Sequence, residues 1–141
     1  MSIYSERLAR LKKDMAAIKK QQKKKPFKPN QLIMIDFING VTKKAIFTIN
    51  AMEIILEIGD ENKGFKHILI KHYCNGCPGE LNARDIINMD IIVLKGLRLN
   101  EVGVTNGDLV VYQYIKGQSQ YKLVLKPMTK NSLVMTMYSV G

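Results

Sequence analysis

A chain of 141 residues has room for one ordinary domain and one core, and a hydrophobic fraction of 46% can fill it, which excludes global disorder. No apolar run approaches the roughly 18 residues of a membrane span, and the polar N-terminus lacks the apolar middle of a secretory signal, so a cytoplasmic protein, of the producing or a target cell, with no membrane partner is expected. The net charge of +10 points toward nucleic acid but is unevenly placed: residues 1–25 hold nine Lys/Arg against Glu6 and Asp14, a charge of +7, which leaves +3 for residues 26–141.

Residues 2–25 read as a helix, because Tyr4, Leu8, Leu11, Met15 and Ile18 recur at alternating spacings of four and three and make one apolar stripe. The stripe is too short for a coiled coil. It either docks on the chain's own domain or a partner, or serves as a basic arm for nucleic acid. Lys23 to Asn30 carries two prolines and breaks the helix. The expected division is therefore a basic helical arm at 1–25, a linker at 26–30 and a single α+β domain at 31–141.

In residues 31–59, the runs Gln31–Phe37, Ala45–Ile49 and Met52–Ile58 read as two or three strands, with Asn39-Gly40 as a turn between the first two. Asn50–Glu57 also fits a helix. Residues 65–73 read as a short helix. A second opens at Asn82, an N-cap with Asp85 as its capping-box partner, and runs to about Leu94 before Gly96. Leu97–Val102, Asp108–Ile115, Tyr121–Leu125 and Leu133–Tyr138 are four β-rich runs. They are separated by turn signals at Thr105-Asn106-Gly107, Lys116–Ser119 and Pro127–Asn131. The expected fold is α+β: two short helices packed on a C-terminal four-stranded antiparallel sheet, with the N-terminal basic helix and extra N-terminal strands.

The chemistry-bearing residues concentrate in the first short helix. It holds both histidines, His67 and His72, with Lys71 between them. Histidine exchanges protons near neutral pH, and lysine stabilises developing negative charge. His67 and Lys71 are four apart and share a helix face, whereas His72 falls beside the apolar face of Phe65, Ile68 and Leu69. Two readings of His72 stand. It is a core-edge histidine whose ring nitrogen bonds a backbone carbonyl, or it lies at the helix C-terminus, where the dipole favours the protonated form and a general-acid role. Thr136 and Tyr138, two apart on the last strand, point to one sheet face. His67, His72, Cys74 and Cys77 invite a zinc reading, but their spacing matches no tetrahedral pattern, so neither metal nor cofactor is expected.

The order and spacing of GFKHILIKHY (64–73), ARDIINMDIIVLKG (83–96), DLVVYQYI (108–115), YKLVLKP (121–127) and LVMTMYSV (133–140) resemble the barnase–EndoU–colicin–RelE-like nuclease superfamily, and more closely its phage- and toxin-associated branch. The resemblance covers residues 64–140. The segment Cys74-Asn75-Gly76-Cys77-Pro78 departs from the simple glycine-containing loop expected there. The resemblance implies a metal-independent endoribonuclease of toxin type, in which the 2′-hydroxyl attacks the adjacent phosphate and leaves a 2′,3′-cyclic phosphate. Such chemistry needs a base, an acid and groups that hold the phosphorane charge. The expected catalytic set is His67, Lys71, His72, Thr136 and Tyr138, with Lys122, Lys66 and Arg84 as substrate contacts. The expected partners are RNA and an acidic immunity, antitoxin or carrier protein. The competing expectation is a non-enzymatic nucleic-acid-binding or partner-docking protein with the same fold.

Overall fold

The computed structural model describes residues 2–23, 25–99 and 109–140. It is an α+β fold of five helices and one six-stranded mixed sheet among those residues. The turn expected at Thr105-Asn106-Gly107 and the ends of the two runs beside it lie outside the described residues.

Helix α1 (Ile3–Gln22) starts at Ser2, whose hydroxyl accepts from the Ser5 N–H. Its stripe docks on the chain's own core. Leu11, Met15 and Ile18 are buried, with Leu11 wholly so, and Tyr4 and Leu8 pack beside them. Each buried side chain of this size contributes about 1.5–3 kcal/mol, so α1 is held as a core element. Its polar side reaches α3 (Gly64–His72): Arg7 donates to the carbonyls of Leu69 and Ile70, and Arg10 to that of Tyr73.

The run Gln31–Phe37, expected as a strand, is instead the body of helix α2 (Pro29–Ile38). Pro29 occupies the first turn, where its missing N–H does no harm, and the Gln31 side chain accepts from the Lys28 N–H. Asn39-Gly40 ends this helix, with Gly40 at φ +79°, and does not join two strands. The strands β1 (Ala45–Ile49) and β2 (Met52–Leu56) do form, as an antiparallel hairpin turning on Asn50 and Ala51. Helices α4 (Ala83–Ile87) and α5 (Met89–Lys95) replace the single helix expected from Asn82. The break is at Asn88, whose side-chain amide bonds back to the Arg84 carbonyl and competes with the helical ladder. The Asn82–Asp85 capping box is present, with bonds of 2.8 and 2.9 Å.

The C-terminal meander is β3 (Leu97–Leu99), β4 (Val110–Lys116), β5 (Ser119–Pro127) and β6 (Ser132–Val140), all antiparallel. The expectation of a sheet confined to these four strands is corrected by the order β1-β2-β6-β5-β4-β3, in which β2 and β6 run parallel and pair only at Ile54↔Ser132 and Ile55↔Leu133. Strand β2 ends at Leu56 while β6 runs on to Val140, so among the described residues the far half of β6 has no strand beside it on that edge. Helix α3 and the loop after it pack there instead, and the Ser139 N–H donates to the Gly79 carbonyl at 3.2 Å.

Candidate active site

Facing pairs decide which side of the sheet each residue occupies. Leu123 and Met137 pair and belong to the core under the helices. Their neighbours along the strands, in the pairs Lys122↔Tyr138 and Val124↔Thr136, therefore project from the opposite face. Met135 is the extra residue of a bulge, because Leu125 pairs with Val134 and Val124 with Thr136. The bulge lets Val134 and Met137 both point inward. It lies upstream of Thr136 and Tyr138, which stay on one face as their spacing predicts.

Helix α3 brings its histidines to the same edge. The rings of His67 and His72 lie 5.6 Å apart, centroid to centroid, nearly perpendicular. The His72 ring lies 5.7 Å from that of Tyr138, tilted by 32°. So three of the expected catalytic residues, from two segments separated by more than sixty residues of sequence, form one continuous row. The expected segregation of His67 from His72 does not hold: both are half-buried and in contact. Lys71 is exposed beside them and acts on His72 through its charge.

Each imidazole is fixed by a backbone carbonyl from a flanking loop. Nδ1 of His67 lies 2.8 Å from the Glu61 carbonyl, and Nδ1 of His72 lies 2.9 Å from that of Pro78. A carbonyl only accepts, so both Nδ1 atoms carry the proton. In the neutral ring Nε2 is then the lone-pair nitrogen, and among the described residues it has no hydrogen-bond partner in either histidine. The core-edge reading of His72, with a ring nitrogen on a backbone carbonyl, is what the geometry shows. His72 is also the last residue of α3, where the helix-end reading put it, but its surroundings do not favour the protonated form that this reading expected. Burial lowers the His72 pKa below its ordinary 6.5; the Pro78 bond raises it in part, and the nearby charges of His67 and Lys71 lower it again. The dipole is muted because the terminal carbonyls of α3 already have partners in Arg7, Arg10 and the Leu81 N–H, which donates to the His72 carbonyl at 2.7 Å. At neutral pH His72 is thus a neutral acceptor.

Thr136 lies on the same sheet face as Tyr138, and its hydroxyl is buried with no partner among the described residues. Lys122 sits directly opposite Tyr138, and Gln113 directly opposite Lys122, which extends the row across β5 and β4. Lys66 and Arg84 are not part of this group. Lys66 stands over the Tyr4 ring, 5.7 Å from its centroid, and Arg84 donates to Gln21 Oε1 at 3.0 Å. Both face α1.

Sequence reasoning missed the loop that frames the site. Cys74 and Cys77 form a disulfide. Pro78 then supplies the carbonyl for His72. Gly79, at φ +71°, lies so close that a Cβ there would come within 2.7 Å of His72 Nδ1 and 2.8 Å of Tyr138 Cβ. The departure of Cys74–Pro78 from a simple loop was the available signal. On the other side of this loop a cleft of about 510 Å³ opens between Gly79, Asp85, Tyr121 and Ser139. Its charged lining is Glu80 and Asp85, with no Lys, Arg or His among the described residues, so it offers phosphate no lining cation. Burial raises the Asp85 pKa, and Tyr121 bonds its carboxyl. No cluster of metal-ligating side chains occurs among the described residues, and no described helix is long and apolar enough to cross a membrane.

No protein-family model matches the chain, and no curated protein shows significant sequence similarity to it.

Proposed function

We propose that the chain is a metal-independent endoribonuclease of the toxin type, related to the barnase–EndoU–colicin–RelE-like superfamily. The observation that carries the reading is the row of His67, His72 and Tyr138, with both Nδ1 atoms pinned to carbonyls and both Nε2 atoms left for chemistry. His72, neutral at pH 7, accepts the proton of the ribose 2′-hydroxyl at Nε2. The 2′-oxygen attacks phosphorus, the bond to the 5′-oxygen breaks, and His67, which enters the step as the imidazolium with Nε2 also protonated, delivers that Nε2 proton to the leaving oxygen. Lys71 offsets the charge of the phosphorane, and the Tyr138 hydroxyl donates to its oxygens; the buried Thr136 hydroxyl joins it only where substrate displaces the side chains that cover it. The products are a 2′,3′-cyclic phosphate and a 5′-hydroxyl. In this reading Lys122, whose backbone pairs with that of Tyr138, meets the next phosphate. An acidic inhibitor or carrier is the partner such a site calls for.

The test is incubation of the protein with total RNA in EDTA, with cyclic-phosphate ends scored. His67→Ala and His72→Ala should each lower cleavage by about 10²–10⁴. Equal cleavage by wild type and variants, or none by wild type at high enzyme concentration, rejects the reading.

A further inference from the structure

The loop from Cys74 to Leu81 holds the candidate site by several separate contacts. The Pro78 carbonyl takes the His72 Nδ1 proton at 2.9 Å. Gly79 sits against the His72 and Tyr138 side chains. The Gly79 and Glu80 carbonyls take the N–H and hydroxyl of Ser139, at 3.2 and 2.6 Å, and tie the loop to β6. The Leu81 N–H closes on the His72 carbonyl. The loop's apolar anchor is Leu81 at its far end, buried in the core, whereas Asn75, Gly76, Pro78 and Glu80 are exposed. What closes its first turn is the Cys74–Cys77 disulfide, together with the Gly76 N–H donating to Glu80 Oε1 at 2.7 Å. The cysteines are half-buried and thus within reach of a small thiol.

We infer that the Cys74–Cys77 disulfide is a redox lock on His72: oxidised, it holds the Pro78 carbonyl against the ring, and reduced by a dithiol, it releases His72 from its catalytic orientation. A thiolate of the reductant attacks one sulfur, and the other cysteine leaves as a thiolate that takes up a proton. The reductant's second thiol then breaks the mixed disulfide. Two electrons and two protons pass to the protein, and the reductant becomes a disulfide. The freed loop no longer presents Pro78, so the imidazole gains water and loses its bias toward the Nδ1–H tautomer. The groups that face His72 are His67 and Lys71 from α3 and Tyr138 from β6, with Lys122 beyond it. They set the charge environment in both states, and only the carbonyl and the solvation change. The consequence for RNA cleavage rests on the ribonuclease reading above, whereas the lock itself does not.

Two readouts separate them. Nitrogen-15 NMR of the histidine rings, with and without dithiothreitol, reports tautomer and titration directly. The oxidised protein should show His72 as the Nδ1–H tautomer, and the reduced protein a shift toward Nε2–H with a titration midpoint closer to 6.5. In parallel, RNA cleavage in EDTA should fall about tenfold on reduction, the worth of one ordering hydrogen bond. The double variant Cys74→Ser/Cys77→Ser, checked for folding by circular dichroism, should match the reduced protein whether or not dithiothreitol is present. Identical His72 signals in both redox states overturn the lock, as does cleavage that is present and indifferent to reduction. If the His72 signals move while neither form cleaves RNA, the lock stands and the ribonuclease reading fails.

Discussion

His72 and Thr136 show how a side chain's surroundings set its chemistry. His72 is held neutral mainly by burial, and its bond to the Pro78 carbonyl fixes the proton on Nδ1, the nitrogen that faces away from the open one. A base that must be deprotonated to work gives an acid limb at its own pKa. The acid limb of kcat/KM for RNA cleavage should therefore lie below pH 6.5, and a limb above that value would remove His72 from the base role. The same shift acts on stability. Between the lowered folded pKa and 6.5 the unfolded chain binds more protons, so stability is fully present above 6.5 and is lost as pH falls through the folded pKa. Urea unfolding of His72→Gln should show a weaker pH dependence across this window than wild type. Thr136 presents the opposite case, a buried hydroxyl with no partner among the described residues. Thr136→Val removes a desolvated polar atom at nearly constant shape. It should leave the melting temperature unchanged or raise it, by up to about 1 kcal/mol of stability, while lowering kcat if the hydroxyl serves the phosphorane. A large loss of stability would show that this hydroxyl has a structural role.

At the scale of elements, legibility follows local signals. Helix α3, the Asn82 cap and strands β1, β2, β5 and β6 all carry periodicity or capping chemistry in their own residues, and the sequence places them within a few positions. Helix α2 is misread as a strand because Gln31–Phe37 is a short apolar run, which periodicity alone cannot divide between helix and buried strand. Its real marker is Pro29 in the first turn. Asn39-Gly40 misleads for a related reason, since a glycine at positive φ serves a helix end as well as a hairpin. The β1–β2 hairpin turns on Asn50 at φ +51° and Ala51 at φ +65°. Asparagine tolerates that region, but the left-handed conformation costs alanine about 1–2 kcal/mol. Ala51→Gly should therefore stabilise the protein by about 1 kcal/mol, measured as a higher urea midpoint with unchanged slope. The turn is far from the histidine row, so RNA cleavage should not change. A lower midpoint would mean that the turn is not the strained two-residue type.

At the scale of the whole molecule, the site depends on a pairing no local pattern announces. Strand β2 meets β6 across more than seventy residues of sequence, and the edge freed where β2 stops is where α3 and its loop come to rest. The same scale changes the meaning of the basic N-terminus. Because α1 buries Leu11, Met15 and Ile18, truncating residues 1–25 should unfold the domain, so weaker binding by such a truncation says nothing about nucleic acid. Charge must be removed without touching the stripe. Lys12, Lys13, Lys19, Lys20 and Lys23 are exposed, so changing these five to Gln leaves the core intact. If α1 follows an RNA backbone, the variant should bind single-stranded RNA more weakly. The slope of log K against log salt should flatten by about 0.7 for each phosphate that α1 no longer neutralises. His67→Ala should bind as wild type does and fail to cleave. An unchanged salt slope in the five-lysine variant would detach α1 from RNA and leave its basic face to an acidic protein partner. Weakened binding in that variant, paired with a wild type that never cleaves, would instead favour the non-enzymatic binding protein.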